Sequence, residues 1–138
     1  MRQRSEVLAV ATRRGFTEIT EAVRRSVREA GIREGLCTLF VRHTSASLVI
    51  QENADPSVRR DLEAFLSRLV PDGHPDFTHV AEGEDDMSAH VKSALLRTSE
   101  QVPVFGGELR LGTWQGIYLW EHREGSHRRQ IAVHVVGE

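Results

Sequence analysis

The stretch that decides the fold is residues 114–136, WQGIYLWEH-REGSHRR-QIAVHVV. Residues 114–122 and residues 130–136 are rich in the β-branched, aromatic and aliphatic residues that are typical of β-strands. The polar segment 123–129 separates them and predicts a turn. We therefore expect two strands that pair with each other across this turn.

Further strands are expected over residues 5–12, 35–42 and 46–51, and two more over Val102–Phe105 and Glu108–Leu111. Gly106-Gly107 separates the last two by two residues, which is a hairpin signal. Three predicted helices interrupt these strands. The order predicts an α+β fold with an antiparallel sheet system rather than a parallel βαβ design.

The first helix is expected over residues 20–30, with Thr20 as its cap and Gly31 at its end. Asp55-Pro56 is a typical start for the second helix. Asp85 or Asp86 is the predicted cap of the third. The residues expected on the buried faces of the second and third helices are Val58, Leu62, Phe65, Leu66 and Leu69, and then Met87, Val91, Ala94 and Leu95.

Composition restricts the class of protein. With 138 residues and 39% hydrophobic content, we expect one compact domain over residues 1–138. A net charge of −2 gives no reason to expect nucleic acid or an anionic membrane as a partner. Cys37 is the one cysteine and has no partner for an internal disulfide. No apolar stretch approaches the roughly 20 residues of a membrane span. We therefore expect a soluble cytoplasmic protein.

Three short stretches concentrate polar and aromatic groups that folding does not require. They are His43-Thr44-Ser45-Ala46-Ser47, His79-x-x-Glu82-Gly83-x-Asp85-Asp86-Met87-Ser88-Ala89-His90 and Gly112-Thr113-Trp114-Gln115-Gly116-Ile117. Titratable groups gathered beside turns are candidates for a functional site. In the first stretch, His43 could supply a proton or a metal lone pair, and the hydroxyls of Thr44 and Ser45 could hold an anion. The alternative is a hydroxyl cluster that satisfies its own backbone.

His79 and His90 flank an acidic segment. Three imidazoles with Glu82 nearby would suit zinc or a similar ion, with an open position for substrate. The acidic residues 82–86 could instead bind Mg²⁺, which prefers oxygen ligands. Lys92, the only lysine, is either a phosphate ligand or an exposed helix residue.

The remaining candidates would contact a ligand. Trp114 could stack on a flat heteroaromatic ring, with Gln115 hydrogen-bonding the ring, or Trp114 could be a core residue at a sheet corner. Glu52 ends a predicted strand that starts beside His43. Arg128 lies in an arginine-rich turn that could bind phosphate.

These stretches, together with Glu52-Asn53-x-Asp55-Pro56, Glu121-His122-Arg123 and Arg128-Arg129, resemble the YjbQ family, whose members are often labelled secondary thiamine-phosphate synthases. The resemblance spans nearly the whole chain in the same order. It implies a small α+β protein with a β-sandwich that assembles as a homotrimer, with its site near subunit contacts. It also implies a weak ability to join a pyrimidine diphosphate to a thiazole phosphate, giving thiamine phosphate and pyrophosphate. The family's recurrent histidines match His43, His79 and His90, and its acid matches Glu82.

The leading hypothesis is therefore an enzyme that acts on a phosphorylated heteroaromatic small molecule. We expect His43, His79 and His90 to converge, with Glu82, either as acid–base groups or as ligands of zinc or magnesium. The expected substrate-binding residues are Thr44, Ser45, Glu52, Asp86, Lys92, Trp114, Gln115 and Arg128. The alternative is a non-catalytic trimer that binds a metabolite or a metal.

Overall fold

A computed structural model describes residues 1–138 and contains three helices and eight strands. The helices are α1 (Thr20–Ala30), α2 (Pro56–Leu69) and α3 (Glu84–Leu95). The strands are β1 (Arg2–Thr12), β2 (Gly15–Glu18), β3 (Glu34–Val41), β4 (Ala46–Glu52), β5 (Ser99–Phe105), β6 (Glu108–Leu109), β7 (Gln115–Glu121) and β8 (His127–Gly137). The α+β class predicted from the sequence is confirmed.

The strands form two antiparallel sheets. One has the order β1-β8-β3-β5-β6, and the other has the order β2-β7-β4. Both sheets and α1 contribute to one hydrophobic cluster of 17 buried residues. Val23 and Val27 of α1, Leu39 of β3, Leu119 of β7 and Val133 of β8 belong to this cluster. That the sheets form a sandwich and that the protein assembles as a trimer stay predictions.

The hairpin predicted over residues 114–136 is wrong, although both strands exist. β7 pairs with β2 on one side and with β4 on the other, whereas β8 pairs with β1 and β3. Both hydrogen-bonding edges of each strand are therefore occupied by other partners. The polar segment between them crosses from one sheet to the other instead of closing a turn.

Several local predictions are confirmed. Gly31 ends α1 in the left-handed conformation, with φ of 65°. The Asp55 carboxylate accepts a hydrogen bond from the Ser57 N–H, and Pro56 is the first residue of α2. Gly106 and Gly107 join the paired strands β5 and β6.

The segment around residue 20 differs from expectation. Thr20 is the first residue of α1 and does not cap it. Its hydroxyl instead donates to the Glu18 carboxylate at 2.8 Å and accepts from the Ile117 N–H at 2.9 Å. Because this hydroxyl fastens the helix start to β7, it is not free to cap. The short strand β2, which pairs with β7, was not predicted.

The third helix presents a different face to the protein than predicted. It begins at Glu84, after Gly83 as its N-cap, so Asp85 and Asp86 both lie in its first turn. Its fully buried residues are Asp86, Ser88, Ala89, Lys92 and Ser93. Leu95, expected to be buried, is 60% exposed. The buried side is polar because its groups are bonded to the rest of the fold, as Ser88 Oγ is to the Asp72 carboxylate.

The remaining predicted helix faces are only partly correct. Leu66 is the one fully buried residue of α2, whereas Phe65 is 61% and Leu69 is 60% exposed. In α3, Met87 and Val91 are half-buried and Ala94 is exposed. Apolar periodicity marks the same residues whether they pack inside the chain or face outward, so it does not separate these cases.

Cys37 is buried in the core and forms no disulfide. Burial raises the pKa of its thiol to about 12. None of the helices has the length and apolar character needed to cross a lipid bilayer.

Candidate functional site

His79, Asp86 and His90 form a group whose ligand atoms all lie within 4.8 Å of one another. The Asp86 Oδ2 atom is 2.8 Å from His79 Nε2 and 3.2 Å from His90 Nε2. Asp86 and His90 are one turn apart on α3, so both side chains lie on the same side of the helix. His79 reaches them from the segment 70–83, which connects α2 to α3.

A hydrogen bond fixes the orientation of His90. Its Nδ1 atom is 2.9 Å from the carbonyl oxygen of Thr44. A carbonyl can only accept, so Nδ1 must carry the proton. Nε2 is therefore the ring atom that faces Asp86. Metal-binding histidines are commonly oriented in this way, by donating their other N–H to a carbonyl or carboxylate.

Asp86 is held as a carboxylate. Burial alone would raise its pKa, but hydrogen bonding with His79 and the positive charges of His90 and Arg123 outweigh burial, so the pKa of Asp86 lies below its ordinary value. The carboxylate is therefore ionised at neutral pH and available as a ligand.

Arg123, which follows β7, clamps the acidic segment. Its guanidinium donates to the Glu82 carbonyl at 2.8 Å and to the Asp85 carboxylate at 3.3 Å, and it lies 3.4 Å from Asp86 Oδ1. Asp86 thus presents one oxygen to the arginine and the other to the two histidines. We did not predict this role from the sequence. The signal was an arginine just after a predicted strand, which could pair with the acidic residues 82–86 far away in sequence.

His43 does not belong to the three-ligand group, so the predicted set of three histidines is not the set that the structure brings together. Its Nε2 atom accepts a hydrogen bond from the Gln130 N–H at 2.7 Å. Burial lowers the pKa of His43, and the charge of Arg129 lowers it further. His43 is therefore a neutral acceptor bonded to β8, and Asp86 is the third member of the group. Its neighbour Thr44 touches the site through its carbonyl oxygen.

Glu82 lies where the sequence placed it, at the edge of the group. Its Oε2 atom is 3.6 Å from His79 Nε2, and its side chain is exposed. Ser45 is buried, and its carbonyl accepts from the His122 N–H at 3.3 Å. The Glu82 carboxylate is therefore open to solvent, whereas Ser45 is buried in this conformation, so substrate binding by Ser45 stays a prediction.

Glu52, Trp114 and Gln115 lie far from the three-ligand group within one protomer. In the antiparallel pair of β4 and β7, Ala46 lies opposite Glu121, and Glu52 lies opposite Gln115. Six residues of strand separate these ends, which amounts to about 20 Å at about 3.3 Å per residue. The group lies near the Ala46 end, because Thr44 precedes β4 and Arg123 follows β7.

At the far end, the candidate side chains are engaged in local contacts or exposed. The Glu52 carboxylate accepts from the N–H groups of Ala54 and Asp55, and the Gln115 side-chain oxygen accepts from the Gly112 N–H. Trp114 is 63% exposed, so its interpretation as a core residue is wrong. Its stacking on a ligand ring stays a prediction.

Lys92 and Arg128 occupy opposite environments. Lys92 is 1% exposed on the buried side of α3, and burial lowers the pKa of its ammonium group. It is therefore not an exposed helix lysine, and its role as a phosphate ligand stays a prediction. Arg128 is exposed on β8, opposite Ala11. Arg123, not Arg128 or Lys92, is the cation that touches the site.

Two separate sets of polar contacts involve the elements that carry the site. Ser47 Oγ is 2.9 Å from His122 Nε2, and His122 Nδ1 is buried without a partner. Burial lowers the pKa of His122 to about 3. Arg14 binds the Asp72 carboxylate with two hydrogen bonds, of 2.8 and 3.1 Å. Because Asp72 also accepts a hydrogen bond from Ser88, the contacts of Arg14, Asp72 and Ser88 tie the start of segment 70–83 to α3.

The chemistry of the three ligands fits a divalent ion. Two imidazole nitrogens and one carboxylate oxygen suit zinc or another transition ion, and three protein ligands leave a position open. Mg²⁺ prefers a set made of oxygen atoms, so the donors favour zinc over magnesium. Such a site can bind and polarise an anionic ligand.

The chain is similar in sequence to a known protein family and to several of its members. A family model described as UPF0047 protein YjbQ-like matches residues 6–138. A UPF0047 protein from Synechocystis sp. is 51% identical over 138 residues, which cover 99% of this chain and 94% of the relative. The UPF0047 protein YjbQ of Escherichia coli O157:H7 is 46% identical over 88% of this chain and 89% of its own length.

Solved structures match as well. An uncharacterised yjbq/upf0047 family protein from Clostridium acetobutylicum is 35% identical with a TM-score of 0.82, covering 94% of this chain and 99% of its own. A YbjQ-like protein of unknown function from Sulfolobus solfataricus P2 is 25% identical with a TM-score of 0.86, covering 99% of both chains. Sequence and fold therefore agree over the full length.

Proposed function

This chain belongs to the YjbQ-like UPF0047 family, and from that premise we propose that it is a metal-dependent enzyme acting on a phosphorylated heteroaromatic small molecule. The observation that carries the proposal is the group of His79, Asp86 and His90, with His90 turned by the Thr44 carbonyl so that Nε2 faces the centre of the group. Structural ion pairs do not require this second bond to a carbonyl, whereas metal-binding histidines commonly have one.

The charge around the site supports the need for a metal ion. The first turn of α3 contains Glu84, Asp85 and Asp86, and Glu82 lies just before it. Arg123 is already bound to this segment and does not cancel all of its charge. A phosphate approaching these carboxylates would be repelled, so a divalent ion has to be present for it to bind.

We assign the following roles to the residues of the site. His79, Asp86 and His90 hold the ion, and Arg123 orients Asp86. When bound, the ion would neutralise the charge of a phosphate or of a departing pyrophosphate. Glu82, exposed and 3.6 Å from His79 Nε2, would accept or return a proton.

The specific reaction we propose is the one that the family resemblance implies, the joining of a pyrimidine diphosphate to a thiazole phosphate with release of pyrophosphate. Both reactants are phosphorylated rings, and the leaving group carries high negative charge. A cation-binding site with one open position suits this chemistry. Assembly as a homotrimer belongs to the same proposal.

A second candidate is a non-catalytic trimer that binds a metal or a metabolite. It is favoured by one observation: His43 Nε2, which we expected to act in proton transfer, is bonded to the Gln130 N–H. Fewer groups are then free for acid–base catalysis.

The experiment is calorimetric titration of ZnCl₂ and, separately, MgCl₂ into chelator-treated protein. We expect one zinc ion per chain, weaker binding of magnesium, and a loss of zinc affinity of at least about 100-fold in His90→Ala, because a direct ligand is removed. His134→Ala is the matched control, since His134 bonds Gln3 away from the site.

Turnover then separates the two candidates. Zinc-loaded protein is incubated with the two phosphorylated rings, and pyrophosphate is measured. Release that depends on His90 supports the enzyme. Zinc binding without release of pyrophosphate supports the second candidate, and absence of zinc binding overturns the metal proposal.

A further inference from the structure

We propose that a cavity beside His79 receives the ring end of the ligand, and that Glu84 selects a ring carrying an amino or other cationic group. This inference rests on the proposed function, because it assigns the specificity of the same site. The cavity has a volume of about 370 Å³ and lies between segment 70–83 and the first turns of α3.

His79 connects this cavity to the three-ligand group. It is part of the cavity wall, and its Nε2 atom lies 2.8 Å from Asp86 Oδ2. A molecule that fills the cavity therefore ends against the same imidazole that faces the metal ligands. The cavity and the three-ligand group form two adjoining parts of one site.

The walls of the cavity suit a single flat ring. Phe77, Val80 and Met87 supply apolar surface, and the His74 ring lies 5.4 Å from the Phe77 ring. The volume falls near the lower end of the roughly 300–1,000 Å³ that small-molecule sites occupy. A one-ring compound with a short substituent fits, whereas a dinucleotide does not.

The charge of the lining decides which rings are accepted. Glu84 is the one carboxylate that lines the cavity, and neither arginine nor lysine lines it. Arg123 is engaged by the Glu82 carbonyl and the Asp85 carboxylate and does not line the cavity. A ring bearing an ammonium or amino group would pair with Glu84, whereas a ring bearing an anion would be repelled by its carboxylate.

The two parts of the site thus have opposite preferences. The cavity favours a neutral or cationic ring, and the three-ligand group, once it holds a divalent ion, favours an anion. The ligand that satisfies both is an amino-substituted or cationic ring joined by a short link to a phosphate.

The chain offers a direct probe of the cavity. Met87 lines it, and the only other methionine is Met1 at the exposed N-terminus. Protein labelled with ¹³C at the methionine methyl groups therefore gives one NMR signal from the cavity and one reference signal. Three probes of similar shape are titrated: benzylamine, benzyl alcohol and benzoate.

We expect benzylamine to shift the Met87 signal and to bind about threefold to fivefold more tightly than benzyl alcohol, the range of a partly exposed charge pair. Benzoate should leave the signal unchanged. Glu84→Gln should remove the preference for benzylamine over benzyl alcohol while both still bind. Asp61→Asn is the matched control, because Asp61 is an exposed acid of α2 whose side chain does not line the cavity.

Phe77→Ala, which removes an apolar wall, should weaken benzylamine and benzyl alcohol alike, and unchanged binding in this variant would overturn the inference. So would a shift caused by benzoate, a preference for benzylamine that survives in Glu84→Gln, or the absence of any shift with benzylamine. All titrations contain EDTA, so their outcome is independent of zinc. Failure of zinc binding with an intact Met87 response would overturn the metal proposal alone, and the reverse result would overturn the cavity alone.

Discussion

The Nδ1 atom of His90 lies 2.9 Å from the carbonyl oxygen of Thr44, although the two residues are 46 positions apart in sequence. This bond ties α3 to the segment that enters β4. It also determines which nitrogen of His90 faces Asp86. The backbone of the hydroxyl-rich stretch, rather than its hydroxyl groups, is therefore what contributes to the site.

Arg123→Gln should lower zinc affinity by about tenfold to 100-fold without removing a ligand, because the guanidinium holds the acidic segment and one oxygen of Asp86. Zinc titration monitored by calorimetry measures this effect. Arg110→Gln, which removes an arginine that stacks on Phe105 away from the site, is the control. Unchanged zinc affinity in Arg123→Gln would show that Asp86 is positioned without the arginine.

Stability should fall as the pH drops below about 6.5, and His122 should account for part of the loss. Burial lowers the pKa of His122 from 6.5 to about 3 in the folded protein. Between pH 6.5 and pH 3 the unfolded chain binds a proton at His122 that the folded chain does not bind. The free energy of unfolding therefore falls as the pH falls through this range. Urea unfolding at pH 7 and at pH 5 measures the change.

The variant for this test is His122→Gln, which keeps a polar partner for Ser47. It should be less stable than the parent at pH 7 and lose less stability between pH 7 and pH 5. An identical loss in both proteins would assign the pH dependence to other groups.

Trp114→Ala should leave zinc affinity unchanged and change the free energy of unfolding by no more than about 0.5 kcal/mol, because the indole is exposed and lies at the far end of β7. Calorimetry and urea unfolding provide the two measurements. Sites this far apart usually act additively. In the double variant Trp114→Ala and His90→Ala, the losses of zinc affinity should add. A non-additive loss would indicate that a neighbouring copy brings its Trp114 to the site.

Light scattering at micromolar concentration should report three times the 15.5 kDa mass of the chain. Besides the family resemblance, the reason is the apolar side chains that one protomer leaves exposed outside the cavity, which include Phe65, Leu69 and Leu95. A mass of one chain would contradict the trimer. Phe65→Glu, which places a charge in this surface, should shift the mass downward if α2 lies in the interface, whereas Glu21→Gln at an exposed position of α1 should not.

What could be predicted from the sequence was mostly local. Gly31, Asp55-Pro56 and Gly106-Gly107 act through backbone geometry within a few residues, so their signals hold in any tertiary context. The strands with which residues 114–122 and 130–136 pair depend on how the whole chain folds. The polar segment between them does not determine this pairing.

The site was predicted in part for the same reason. His79 and His90 were identified by residue type, and the structure brings them together. Asp86 was expected to cap a helix or bind substrate, but the helix starts two residues earlier and turns its carboxylate toward the histidines. His43 was expected among them, but its ring bonds the backbone of β8. In both cases, hydrogen bonds between elements that are far apart in sequence determine where the side chain lies.

The burial of Lys92 gives the folded protein an unusual chemical property. Lys92 is the only lysine and is 1% exposed, so the folded surface carries no exposed lysine amine. Acylating reagents, aldehydes and amine cross-linkers should therefore react with Lys92 only when it becomes exposed. The rate of Lys92 modification would therefore measure how often α3 separates locally from the rest of the fold.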